Sequence, residues 1–149
     1  MNDIHIEDFY RDMGLILMRL YSVFPRPATV YVEDIAGPDQ PDEFGLHSDR
    51  FIACFSTLLW LSQEGYLRYD STIRQEAIDQ AVLSQRAFLL LSSPSSLVIQ
   101  PVEEDDLPPS VLKSRYTHHA QLREALRSGA SDVIHHCVIN LINEFNKLT

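Results

Sequence analysis

The feature that most limits what this chain can fold into is a change of period at Gly65. Before it, Phe51, Phe55, Leu58 and Leu59 recur at the spacing of one helical face, widened by Ile52 and Leu61. Ser48 stands where a hydroxyl caps a first turn, and Asp49 beside it suits the positive end of the helix dipole. After it, Tyr66-Leu67-Arg68-Tyr69-Asp70 alternates with period two, as a strand does. Residues 78–83 supply a returning strand, and the polar stretch 70–76 supplies the turn between the two. Ser84 is a second N-cap, with Leu83 and Phe88 at the spacing of a hydrophobic staple. Residues 48–92 therefore read as a helix, a two-stranded ribbon and a short helix.

The runs FSTLLWLSQEGYLRYD and AVLSQRAFLLL resemble the recognition helix, wing and closing helix of winged helix-turn-helix proteins. In that superfamily, leucines three apart followed by Glu-Gly-Tyr lead into the wing, and Leu-Ser followed by a small residue, an aromatic and Leu-Leu leaves it. The likeness covers roughly a third of the chain. It implies an α+β, mainly α fold: a winged-helix-like domain over residues 1–92 and a connection over 93–110. A C-terminal helical hairpin over 111–149 completes the chain. Two functions are consistent with such a fold: a DNA-binding transcriptional regulator acting as a dimer, and a protein-interaction or scaffold module that does not bind DNA.

Under the first reading, Arg50, Ala53, Thr57, Trp60 and Glu64 form the outer stripe of the helix, opposite Phe51, Phe55 and Leu58. Arg50 and Thr57 are then base or phosphate contacts, and Arg68 and Arg74 hold the DNA backbone from the wing. The alternative buries Trp60 under the loop that precedes the helix or in a subunit interface. The formal charge of −9 and a pI near 5.0 weigh against a chain that coats nucleic acid by bulk electrostatics.

Elsewhere, Ile6, Phe9, Tyr10, Met13, Ile16, Leu17, Leu20 and Phe24 share one broad face of a first helix over residues 3–23, ended by Pro25. Gly14 within it permits a close crossing by another element. Residues 28–32 are rich in β-branched side chains and read as a first strand that pairs with the wing. The loop GPDQPDEFGLH leaves room for only a turn over residues 32–36 where the superfamily has its second helix. Residues 92–110 carry five serines, four prolines and an acidic run at 103–106, and read as a solvated connection in which residues 97–99 dock as a short extended segment. Residues 111–127 and 130–148 read as two helices broken at Ser128-Gly129, with Ser131 or Ser128 as cap of the last. On the last helix, Ile134, Val138, Leu141, Phe145 and Leu148 are spaced 4, 3, 4, 3. Such a seam either packs back on the domain or meets its copy in a homodimer, and superfamily habit points to the dimer.

No catalytic arrangement is expected: the five glycines are dispersed, and there is no phosphate-cradling loop and no nucleophile elbow. No cofactor is implied. His118-His119 and His135-His136 lack ligand spacing, since neighbours on a helix point apart; Asp132 and His136 are the one i, i+4 pair. Asp39, Asp42 and Glu43 do not match a calcium loop and read as solvated. Cys54 and Cys137 read as reduced thiols packed as small apolar groups. The first residues lack the basic and apolar regions of a signal peptide, and no run of about 18 apolar residues occurs. The expectation is a cytoplasmic protein that makes no membrane contact.

Overall fold

A computed structural model describes residues 3–97 and 108–148, apart from the Leu112 side chain. The chain is mainly helical with a small antiparallel sheet. Helix α1 (Ile4–Val23) is followed by strand β1 (Ala28–Tyr31), the five-residue helix α2 (Val32–Ala36) and helix α3 (Asp49–Gln63). Strands β2 (Leu67–Arg68), β3 (Ser71–Ile73) and β4 (Ala77–Leu83) come next, then α4 (Gln85–Ser92), α5 (Pro109–Arg115), α6 (His118–Ser128) and α7 (Ser131–Asn146). Among the described residues no helix is long and apolar enough to cross a membrane.

The break at Gly65 is a hydrogen-bonded helix stop. The Tyr66 amide donates to the Leu61 carbonyl and the Gly65 amide to that of Ser62, at 2.9 and 3.1 Å, while Gly65 takes φ +86°. This crossed pair satisfies two carbonyls left over at the helix end, and buries Tyr66 beside Leu61. Both expected caps form: Ser48 Oγ accepts from the Phe51 amide at 3.2 Å and Ser84 Oγ from the Ala87 amide at 3.1 Å.

Strand β4 is central. On one edge it pairs with β1, through Ala28↔Ala81 and Val30↔Ile78; on the other it pairs with β2 and then β3, through Arg68↔Val82 and Thr72↔Ile78. The register against β1 shifts by one between Ala28 and Val30, and Gln80 lies between the two matching positions on β4 with φ +56°. Pairing extends further towards the tip than the sequence suggested. Ser71 to Ile73 form a strand because their amides and carbonyls find β4, leaving a turn closed by the Glu76 amide on the Ile73 carbonyl at 3.0 Å.

Helix α1 is the hub. Met13, Ile16, Leu17 and Leu20 belong to one buried cluster with Leu58 and Leu61 of α3, Val30 and Ile78 of the sheet, Leu91 of α4, Leu122 of α6 and Leu141 of α7. At Gly14 a Cβ would lie 3.1 and 3.2 Å from Leu126 and Leu122 side-chain carbons of α6, so the close crossing expected there is made by α6.

Two C-terminal expectations change. The helix expected over 111–127 is two helices, because Thr117 caps α6 with its hydroxyl and the chain on either side is drawn to residues 93–95. The Ser95 amide donates to the Tyr116 carbonyl at 2.7 Å, and the His118 amide to the Ser93 carbonyl at 2.9 Å. Helix α7 has Ala130 as N-cap, without a side-chain cap; Ser128 Oγ accepts instead from the Ala130 amide at 3.2 Å. Leu97 packs against the core, whereas the rest of the proposed docking segment, residues 98–99, and the acidic run 103–106 lie outside the described residues.

Candidate functional site: the exposed face between α1 and α3

The orientation of α3 is set by one ion pair. Arg50 donates from Nη1 and Nη2 to both carboxylate oxygens of Asp12, at 2.7 and 2.5 Å, and its Nε lies 3.5 Å from Asp8. Asp12 is 1% exposed and sits on the face of α1 that carries Phe9, Met13 and Ile16; the Arg50 side chain is 32% exposed. Donation to the Asp12 carboxylate holds the guanidinium pKa above its usual value despite partial burial. A carboxylate so placed needs a partner, and Arg50 is that partner.

With Arg50 turned to α1, only Glu64 of the stripe expected to face outward is exposed; Arg50, Ala53 and Trp60 are partly buried and Thr57 is buried. Thr57 is 5% exposed and donates to the Ala53 carbonyl at 3.0 Å. Trp60 is half-buried, edge-on to Phe9 with ring centroids 5.2 Å apart, and lies beside Tyr66 rather than under the loop before α3. The solvent face of α3 lies one step round the helix, through Ile52, Ser56, Leu59 and Gln63, and its ionisable side chains are the acids Asp49 and Glu64 at its two ends. Between this face and the first turns of α1 runs an open groove of about 610 Å³. Ile6 and Phe9 line one wall, and Ala53, Ser56, Leu59 and Trp60 the other. Ile52, at 43% exposure, and Ile4 extend the apolar surface beyond it. The apolar character of Ile52 and Leu59, one step round from the expected stripe, was the sequence signal for this surface; Asp12 among apolar neighbours was the signal for the pair.

The wing arginines are elsewhere. Arg68 is exposed on β2 and Arg74 at the hairpin tip with φ +52°, and neither side chain has a hydrogen bond or ion pair among the described residues.

The expected dimer seam is interior. Ile134, Val138, Leu141 and Phe145 are all 2% exposed or less and join the common core, while Leu148 at the end of the series is 38% exposed. Phe145 shows why: its ring stacks on Tyr66 at 3.9 Å, the Arg86 guanidinium lies 4.1 Å over it, and Arg86 donates to the Phe145 carbonyl at 2.9 Å. That cation also sits at the negative end of the α7 dipole. Burial, with Glu64 nearby, pushes the Tyr66 phenol up to about 12.

No family model matches the chain, and no curated protein or solved structure matches it.

The remaining candidate groups have structural roles. The Asp39 carboxylate accepts from the Ser48 amide at 3.0 Å and bonds His47 Nδ1 at 2.5 Å; Asp42 Oδ1 accepts from the Phe44 and Leu46 amides at 2.9 Å each. Both acids staple the loop; Asp42 and Glu43 are exposed, as expected of solvated groups, while Asp39 is partly buried. Burial alone would raise the Asp39 pKa, and the bonds from His47 and Ser48 outweigh it, so the carboxyl lies below its ordinary value. Tyr10 stacks on His135 and Tyr21 on His119, both with centroids 4.4 Å apart, which ties α1 to α7 and α6. Among the described residues no three His, Cys, Asp or Glu side chains converge as a metal site would need. Burial raises Cys54 to about 12, with the Asp12 charge adding to it, and Cys137 to about 11, so both thiols stay protonated.

Proposed function

We propose that the chain is a protein-interaction module on a winged-helix scaffold, working in the cytoplasm, and that it engages its partner through the α1–α3 face. The observation that carries this reading is the engagement of Arg50 with Asp12, which leaves the solvent face of α3 uncharged between its acidic ends, with Ile52 and Leu59 as its apolar members. For Arg50 to reach a phosphate or a base it must leave a buried carboxylate unpaired, at a cost of about 3–5 kcal/mol. A good base contact returns only about 1–3 kcal/mol. The DNA-reading role expected for this helix is thus opposed by its own anchoring.

The helix, ribbon and helix order supports the winged-helix assignment, with α2 as its reduced second helix. Two buried, unbridged cysteines fit a reducing compartment. The reading needs no second copy, since four of the five seam residues are used inside the fold.

DNA binding is favoured by one observation, the two unpaired arginines on the β2–β3 arm, and one pair of experiments separates the readings. A photo-crosslinking residue at Ser56, with a control at the exposed Asn143, is introduced into the full chain in its own cells. Protein adducts specific to position 56 are expected. Mixed duplex DNA titrated against the purified chain should show no binding that weakens with salt; tight, salt-dependent binding, or nucleic acid adducts at position 56, would overturn the reading.

A further inference from the structure

Resting on the interaction reading above, we infer that the occupant of the α1–α3 groove is a basic amphipathic helix of a partner protein, its apolar stripe against Leu59 and Trp60 and its cations against Asp49 and Glu64. The groove is lined along α3 from Ala53 to Gln63, and the exposed Asp49 and Glu64 lie beyond its two ends, about 22 Å apart along the helix at 1.5 Å per residue, so a helix of about 15 residues laid in the groove reaches from one acid to the other. Apolar anchors at helical spacing fill such a groove, and charges at the rim set orientation and choice of partner. Among the described residues, the charged side chains of α3 that face solvent at this rim are acids. Neither α1 nor α3 contains a lysine; Arg50 is held by Asp12, Arg11 donates to the Gly129 carbonyl at 3.5 Å, and Arg19 pairs with Asp34 at 3.2 Å. The first turns of α1 add Asp3 and Glu7, both exposed. The same charges disfavour a second copy as occupant. In an antiparallel two-fold contact between α3 helices, Asp49 of one copy meets Glu64 of the other, acid against acid.

Trp60 is the single tryptophan of the chain, so its emission reports the groove directly. The probe is a capped 15-residue helical peptide with a leucine stripe and lysines elsewhere, compared with the same peptide carrying glutamates in place of the lysines; neither contains an aromatic residue. The lysine peptide should change Trp60 emission saturably and bind at least tenfold more tightly than the glutamate peptide. Its affinity should fall between about 50 and 300 mM salt. The D49N/E64Q chain, altered only at exposed positions, should bind it several-fold more weakly, and Ser56→Glu should block the apolar seat. A silent Trp60, equal binding of the two peptides, or unchanged binding by the neutralised chain would overturn the inference. Protein adducts at position 56 together with a silent Trp60 would remove this occupant and leave the interaction reading intact; an adduct of twice the chain's mass would point to a second copy and overturn it.

Discussion

The Asp12–Arg50 pair makes an asymmetric prediction about stability. Replacing Arg50 by methionine keeps most of the side-chain volume but strands a carboxylate that is 1% exposed, and a broken buried pair typically loses about 3–5 kcal/mol. Replacing Asp12 by asparagine leaves a guanidinium that is one-third exposed, can still bond the amide oxygen, and has Asp8 3.5 Å away. Solvent screening and that second acid reduce the loss to roughly 1–2 kcal/mol. Arg50→Met should therefore be the worse change by about 2 kcal/mol, equivalent to some 4–8 °C in Tm for a domain of this size. The double change D12L/R50M removes both charges and fills the site with apolar volume, so it should recover most of the loss. Urea unfolding of the four proteins measures this, with a common m-value as the check that midpoints can be compared. Losses that add in the double variant, or a larger loss for Asp12→Asn, would refute the claim that the pair is buried from the Asp12 side.

Three further outcomes follow from the same structure. Gly65→Ala should lose about 1–2 kcal/mol in urea unfolding, because φ +86° is left-handed space and the helix stop has no alternative there. Burial lowers the pKa of His118, with the Glu144 charge opposing it, and burial lowers that of His119, with Arg123 adding to it. A depressed imidazole contributes stability that is full above the ordinary value of about 6.5 and is lost as pH falls below it through the folded pKa, so chemical unfolding from pH 7.5 to 5 should show a decline. That decline should flatten in the H118Q/H119Q protein. Cys54 and Cys137, both buried and held protonated, should react with a thiol reagent at pH 8 only as fast as the chain opens, so labelling that outpaces opening would contradict their burial.

How much of this was legible in the sequence depends on whether a signal is local. Gly65, Ser48 and Ser84 act on amides within a few residues of themselves, and the helix stop and both caps stand where local chemistry puts them. Thr117 is equally local but acts together with residues 93–95, so the break between α5 and α6 was invisible to periodicity alone. The outward face of α3 was misjudged because helical spacing fixes which side chains share a face, not how that face is rotated against a neighbour. Rotation is decided by Asp12, thirty-eight positions earlier, and by Phe9 meeting Trp60. The loop acids were similarly ambiguous: an aspartate in a Pro/Gly-rich loop looks the same in sequence whether it meets water or staples backbone amides.

The 4, 3, 4, 3 seam of α7 shows the same limit from the other side, and explains why the groove is open where it is. Such spacing says that a helix must bury one stripe, and is silent about whether the covering surface belongs to the same chain. Here α1 provides that cover, with Tyr66 and Arg86 closing over Phe145. Helix α1 in turn meets α3, α6, α7 and the sheet along most of its length, so its apolar face is nearly all occupied. The exception is its first turns, where Ile4 and Ile6 project past the last crossing helix and remain exposed. Because α3 is fixed against α1 by Asp12 and Arg50, Leu59 and Trp60 come to rest beside that uncovered end instead of beneath it. The ion pair that removes an arginine from the helix surface is thus also what sets the two apolar walls side by side.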